Sequence, residues 1–168
     1  MVKLKVFFLI CYIFITDISL SQEAIIPVSH PSELKRNAFS MTPGIWPGEF
    51  YFSLLGNYER MIYRLPKSFI HSFWIRAGLG PWAAWGPKGV NYVSTISALM
   101  GRGSTHFEIG SGVLFTYWSD EKEFRPIVNE RYLSGFTGFR YQKPGGSFVF
   151  RTGLGWPDGI YISLGYCF

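Results

Sequence analysis

Five side chains carry most of what this sequence offers for chemistry. Arg76, His106, Glu108, Arg140 and Arg151 stand in short alternating apolar surroundings, where an isolated charge is costly. His106-Phe-Glu108 sets an imidazole and a carboxylate two residues apart, which on an extended chain places both on one face. Such a pair is raw material for general acid–base work. His71-Ser72 adds an imidazole beside a hydroxyl, and Glu59 a further carboxylate. No spacing of His, Cys, Asp or Glu matches a metal site, and neither a phosphate-cradling glycine loop nor a nucleophile elbow occurs. The expectation is therefore no metal, no cofactor and no assigned catalytic residue. What remains for these charges is mutual pairing, since a buried Arg or Glu is tolerated only when compensated and hydrogen-bonded. A salt-bridged filling is expected, with a small conducting pore as the alternative.

The elements that must position these residues read as strands throughout. In residues 105–118, His106, Glu108, Gly110, Gly112, Leu114 and Thr116 oppose Phe107, Ile109, Val113, Phe115 and Tyr117. Residues 69–84 set Trp74, Arg76 and Gly78 against Phe73, Ile75, Ala77 and Leu79. Residues 131–141 set Ser134, Gly138 and Arg140 against Leu133, Thr137, Phe139 and Tyr141. Residues 147–155 set Val149, Arg151 and Gly153 against Phe148, Phe150, Thr152 and Leu154. A period of two is the strand signature, because successive side chains point to opposite sides of the pleat. With 38–45, 49–63, 90–100 and 159–168, eight strands are expected between turns rich in Gly, Pro and Asp. The first is the weakest, because Pro43 and Gly44 interrupt it, so seven strands remain an open alternative. The longest loop is the charged stretch 119–130.

Charges and glycines gather on one face, aliphatic and aromatic residues on the other. Small residues alternating with large ones suit the narrow interior of an eight-stranded barrel. Aromatics near strand ends, among them Tyr63, Trp82, Trp85, Tyr117, Trp118, Tyr141 and Trp156, suit interfacial girdles. Charged residues make up 16% of the chain and aromatics 19%, against about 25% charged in an ordinary soluble domain. After Gln22 no apolar run reaches the length of a membrane-spanning helix. The net charge of +5 is scattered and forms no basic track for nucleic acid. At the amino terminus, Lys3 and Lys5 precede the apolar run Val6 to Ile15, and Ser19-Leu-Ser21 ends it with small residues. That is the pattern of a cleavable signal peptide over 1–21, followed by an irregular lead-in over 22–36. Processing would leave Cys167 as a single cysteine, an inward-facing filler.

The ending Gly159-Ile-Tyr-Ile-Ser-Leu-Gly-Tyr-Cys-Phe168, the alternating strands and the leader together resemble the small outer-membrane β-barrel proteins of Gram-negative bacteria, of the eight-stranded OmpX/OmpA type. Gly138 to Arg151 is similar to their penultimate hairpin. The resemblance implies an all-β, antiparallel up-and-down transmembrane barrel over 37–168, located in the outer membrane and monomeric. Its partners would be outer-membrane lipid and, during biogenesis, the barrel-assembly machinery. Ile162, Leu164, Tyr166 and Phe168 match the family's assembly signal. No activity comes with the resemblance, and a structural or surface-interaction role is expected.

Three alternatives stay open. Some outer-membrane barrels modify lipid A, but the His and Ser spacing of the lipid A deacylases is missing here, and His106 lies beside the turn 101–104, periplasmic in this topology. The loop Ser119 to Pro126 offers a binding tip. The same alternation would also suit a secreted soluble β-barrel enclosing an apolar ligand.

Overall fold

A computed structural model of the chain describes residues 34–47, 50–65, 68–101, 103–119 and 126–168, without the side chains of 118, 119 and 126–131. The signal peptide at 1–21, the lead-in up to residue 33 and the loop tip 120–125 lie outside the described residues. Eight strands follow in chain order: β1 (Asn37–Trp46), β2 (Tyr51–Arg64), β3 (Ile70–Ala83), β4 (Lys88–Met100), β5 (Thr105–Ser119), β6 (Pro126–Gln142), β7 (Phe148–Trp156) and β8 (Gly159–Cys167). Each pairs antiparallel with its neighbours, and β1 also pairs with β8, closing the sheet into an up-and-down barrel. Closure removes the exposed sheet edges that a flat sheet of such apolar strands would present.

The first strand settles the count at eight. Pro43 has no N–H to donate, and it lies where the β8 ladder is interrupted, beside the register shift at Gly44/Ile45. On its other side β1 keeps an unbroken register with β2, from Asn37↔Arg60 to Trp46↔Tyr51. At the far end of the seam, Asn37 and Phe168 exchange both backbone hydrogen bonds, at 3.2 and 3.0 Å. Phe168 thus fastens the last rung of the seam.

One expectation is corrected in detail. The stretch 119–130 is not all loop: β5 runs to Ser119 and β6 begins at Pro126, leaving 120–125 between them. Pairing with β5 reaches Ser119↔Pro126, whereas β7 meets β6 only from Gly135↔Trp156 onward. In the lead-in, Leu34 is buried against Met61, Trp74 and Leu99, and the Lys35 ammonium donates to Ser147 Oγ at 2.6 Å. The last residues before β1 therefore close the mouth of the barrel at the chain-terminal end.

Inside, the side chains stack in layers. Leu34, Met61, Trp74 and Leu99 make an apolar floor at the terminal end. Beside it, Ala38, Val149 and Cys167 pack together, so Cys167 fills space inward as a free thiol. A charged layer follows, then an apolar layer of Leu55, Val93 and Leu114. Several strand pairs approach closely because a glycine faces inward. A Cβ at Gly112 would meet the Ser94 carbonyl, and one at Gly138 the Thr152 carbonyl.

Candidate functional site: lumen network, outer belt and vestibule

The charged layer draws on five strands. Glu59 from β2 accepts from Arg151 Nη1 at 2.6 Å on one oxygen and from Arg140 Nη1 at 2.6 Å on the other, and the first oxygen also forms an ion pair with Arg76 at 3.0 Å. Glu108 from β5 accepts from Arg76 Nη2 at 3.1 Å and Ser97 Oγ at 2.9 Å on one oxygen. Its other oxygen accepts from Arg151 Nε at 2.8 Å. The guanidinium planes also lie on rings: Arg140 sits 4.0 Å from the Trp74 ring centre and Arg76 4.2 Å from that of Phe136. Arg140 Nε donates to Gln142 at 3.0 Å. Planar, forked donors on carboxylates, backed by aromatic faces, are the arrangement in which Arg is best tolerated away from water.

A chain of neutral hydrogen bonds lies beside the charges. Asn57 donates to Thr42 Oγ1 at 2.9 Å, and Thr42 donates to Ser163 Oγ at 2.8 Å. The polar filling thereby ties β2 to β1 and β8, the strands that close the barrel. Between this chain and the Phe136 side chain, a cavity of only about 10 Å³ remains, at most the room of one water.

Of the residues singled out by sequence, Arg76, Glu108, Arg140 and Arg151 meet in this cluster. His106 does not. It is buried near the terminal mouth with its ring 5.4 Å from that of His71, while the Glu108 oxygens are taken by Arg76, Arg151 and Ser97. The spacing His106-Phe-Glu108 thus shares a face without forming an acid–base pair. Glu59, which binds all three arginines, is the hub, and its inward parity on β2 was the signal for it. Gln142, Ser97, Asn57, Thr42 and Ser163 were missed, because neutral polar residues on an inward face carry no distinguishing sequence mark.

The outer surface inverts the usual order. Aliphatic side chains such as Met41, Leu54, Ile96, Ile109, Leu154 and Ile162 are exposed around the waist. Toward the terminal mouth, exposed rings replace them: Phe39, Tyr63, Phe107, Phe139 and Tyr166. Phe39 stacks on Phe168 at 5.7 Å. Toward the opposite mouth stand Trp46, Phe52, Tyr92, Tyr117 and Trp156, with Tyr92 edge-on to Tyr117 at 5.3 Å. The outward positions of β1, β3, β5, β7 and β8 carry no charged side chain among the described residues, whereas Lys88 sits at a rim on β4. Ile162, Leu164, Tyr166 and Phe168 all belong to this exposed face.

Above the Leu55 layer, the mouth away from the termini opens into a vestibule of about 450 Å³. Tyr51, Trp82, Trp85, Leu114, Tyr132 and Trp156 are among its walls. At its base, Asn91 Nδ2 donates to Tyr51 Oη at 2.6 Å, and Thr116 Oγ1 donates to Asn91 Oδ1 at 3.0 Å. Nearby, in the turn before β8, Asp158 accepts from Ser53 Oγ at 2.8 Å. Burial pushes the Asp158 carboxyl above the usual carboxylate range, against the pull of the Ser53 hydrogen bond and the Arg76 charge.

Among the described residues, no group of three or more potential metal ligands occurs. Comparison with protein-family models, with curated proteins and with solved structures finds no match to this chain.

Proposed function

We propose that the chain is an integral outer-membrane β-barrel protein, exported as a precursor, whose lumen is a packed plug and whose role is structural or surface-interactive. The observation that carries this reading is the inverted surface: an aliphatic waist between two aromatic rims on a closed barrel that buries a cluster of paired charges inside. In water, so large an apolar surface is an association hazard. In a bilayer it is what the solvent requires, and closure gives every strand a neighbour on both sides around the barrel wall. Strands of 9 residues or more suit a tilted crossing. The interior argues against a soluble calyx, because ion pairs occupy the space a ligand would need at mid-barrel. It argues equally against a pore, since the floor of Leu34, Met61, Trp74 and Leu99 and the charged layer lie across the axis.

The test is fractionation of cells making the full precursor, followed by denaturing gels of the membrane fraction with and without boiling. A membrane-bound band whose mobility changes on boiling is expected, with no conductance when the protein is reconstituted in planar bilayers. A soluble, unshifted band would overturn the membrane reading, and steady single-channel currents would overturn the plug.

A further inference from the structure

The vestibule goes beyond a structural role. We infer that it is a binding site for a neutral, flat, ring-based small molecule with one hydrogen-bonding edge. Its volume of about 450 Å³ lies within the range of small-molecule pockets. Three features narrow the ligand.

The first is the aromatic lining. Tyr51 and Trp82 stack on each other at 5.6 Å with 22° between their planes, one ring backing the other at the wall. Trp85 and Trp156 extend the aromatic lining toward the rim. Rings of this kind gain most from an offset or edge-on aromatic partner.

The second is charge. Among the described residues, the lining contains no Asp, Glu, Lys, Arg or His. An ionised ligand would leave water with no countercharge among these lining residues to meet it.

The third is the base. Asn91 and Thr116 lie on inward positions of β4 and β5 and are held by the hydrogen bonds to Tyr51 and to each other. Among the described residues, these bonds leave one Asn91 amide hydrogen, one Asn91 oxygen lone pair and the Tyr51 hydroxyl hydrogen in the donor and acceptor inventory. One polar edge of a ligand can therefore be satisfied at depth. A sugar is disfavoured, because hydroxyls around its whole ring would press unpaired against Leu114, Pro87 and Trp156. The site couples an apolar body to a single polar anchor, the usual division of labour in such pockets.

The experiment uses the full chain folded in detergent micelles, its fold checked by the boiling shift, and calorimetric titration against micelle blanks. The probes are 2-naphthol, naphthalene, 2-naphthalenesulfonate and maltose. Saturable one-site binding of 2-naphthol is expected, with neither the sulfonate nor maltose binding. Ala84→Trp, which fills the cavity from a half-buried rim position without touching the barrel core, should abolish it. Asn91→Ala should weaken 2-naphthol about 10-fold, the loss of one hydrogen bond, and leave naphthalene unchanged. An isotherm identical for the parent and Ala84→Trp would overturn the site, since it would report partition into micelles or onto the outer belt. Binding of the sulfonate or of maltose in place of 2-naphthol would overturn the assigned ligand class. A failed boiling shift would count against the membrane barrel, a result separable from the binding outcome.

Discussion

Replacing Glu59 by glutamine tests the plug at its hub. Glu59 is 1% exposed and contacts three guanidinium groups within 3.0 Å. The cluster holds three arginines against two carboxylates; Glu59→Gln leaves three against Glu108 alone. Arg76 and Arg151 keep an oxygen of Glu108, whereas Arg140 loses its carboxylate and is left with neutral partners, among them Gln142 and the Trp74 face. Breaking a buried pair by removing one partner costs about 3–5 kcal/mol. Glutamine retains the shape and one acceptor oxygen, so the lower figure, about 3 kcal/mol, is expected. With a urea slope of about 2 kcal/mol/M, that lowers the unfolding midpoint by roughly 1.5 M. The assay is reversible urea unfolding in lipid vesicles, followed by tryptophan fluorescence. Adding Arg140→Gln restores the excess of one positive charge and removes the stranded guanidinium. The double variant should therefore recover at least about 1 kcal/mol relative to the sum of the single changes. A Glu59→Gln cost below about 1 kcal/mol with no coupling would refute the reasoning, because it would mean that water already screens these charges.

Three further outcomes follow from the same structure. Ile96→Arg, on the exposed waist, should cost about 2–4 kcal/mol if that face meets the bilayer midplane; folding yield into vesicles should fall, while refolding in short-chain detergent should be far less affected. Gly138→Ala places a methyl against the Thr152 carbonyl and should cost about 1–3 kcal/mol in the same urea assay. Asp158, whose carboxyl is raised by burial, binds its proton more tightly folded than unfolded. Its contribution to stability is then full below about pH 4 and is lost as pH rises through the raised folded value. Asp158→Asn, which keeps an acceptor for Ser53, should gain on the parent as pH goes from 4 to 8; a constant difference between the two would refute the assignment.

The strands were legible because their faces differ so sharply. Residues 105–118 alternate charge and glycine with aliphatic and aromatic side chains, and β5 spans Thr105–Ser119. Legibility failed where local chemistry and pairing disagree. Residues 126–130 sit in a charged, polar stretch that reads as loop, yet β5 continues past the rim and supplies their ladder. Pro43 and Gly44 read as a break, yet β2 holds β1 in register across them. Both are cases in which a neighbouring strand overrides local preference.

By itself the sequence determined which side chains share a face, since alternation depends only on the two-residue period of an extended chain. From that alone Arg76, Glu108, Arg140 and Arg151 could be placed on the polar faces of their strands, with the glycines. Only the tertiary structure decided who meets whom. Glu59 lies 81 residues from Arg140 and 92 from Arg151, and only the closed barrel's registers bring them to one level. The same closure left His106 beside His71 rather than in the cluster, and raised the vestibule walls from β2, β3, β5, β6 and β7. Parity is local and survives in one dimension; the height of a residue along the barrel is a sum of registers over every intervening strand pair, and no single segment contains it.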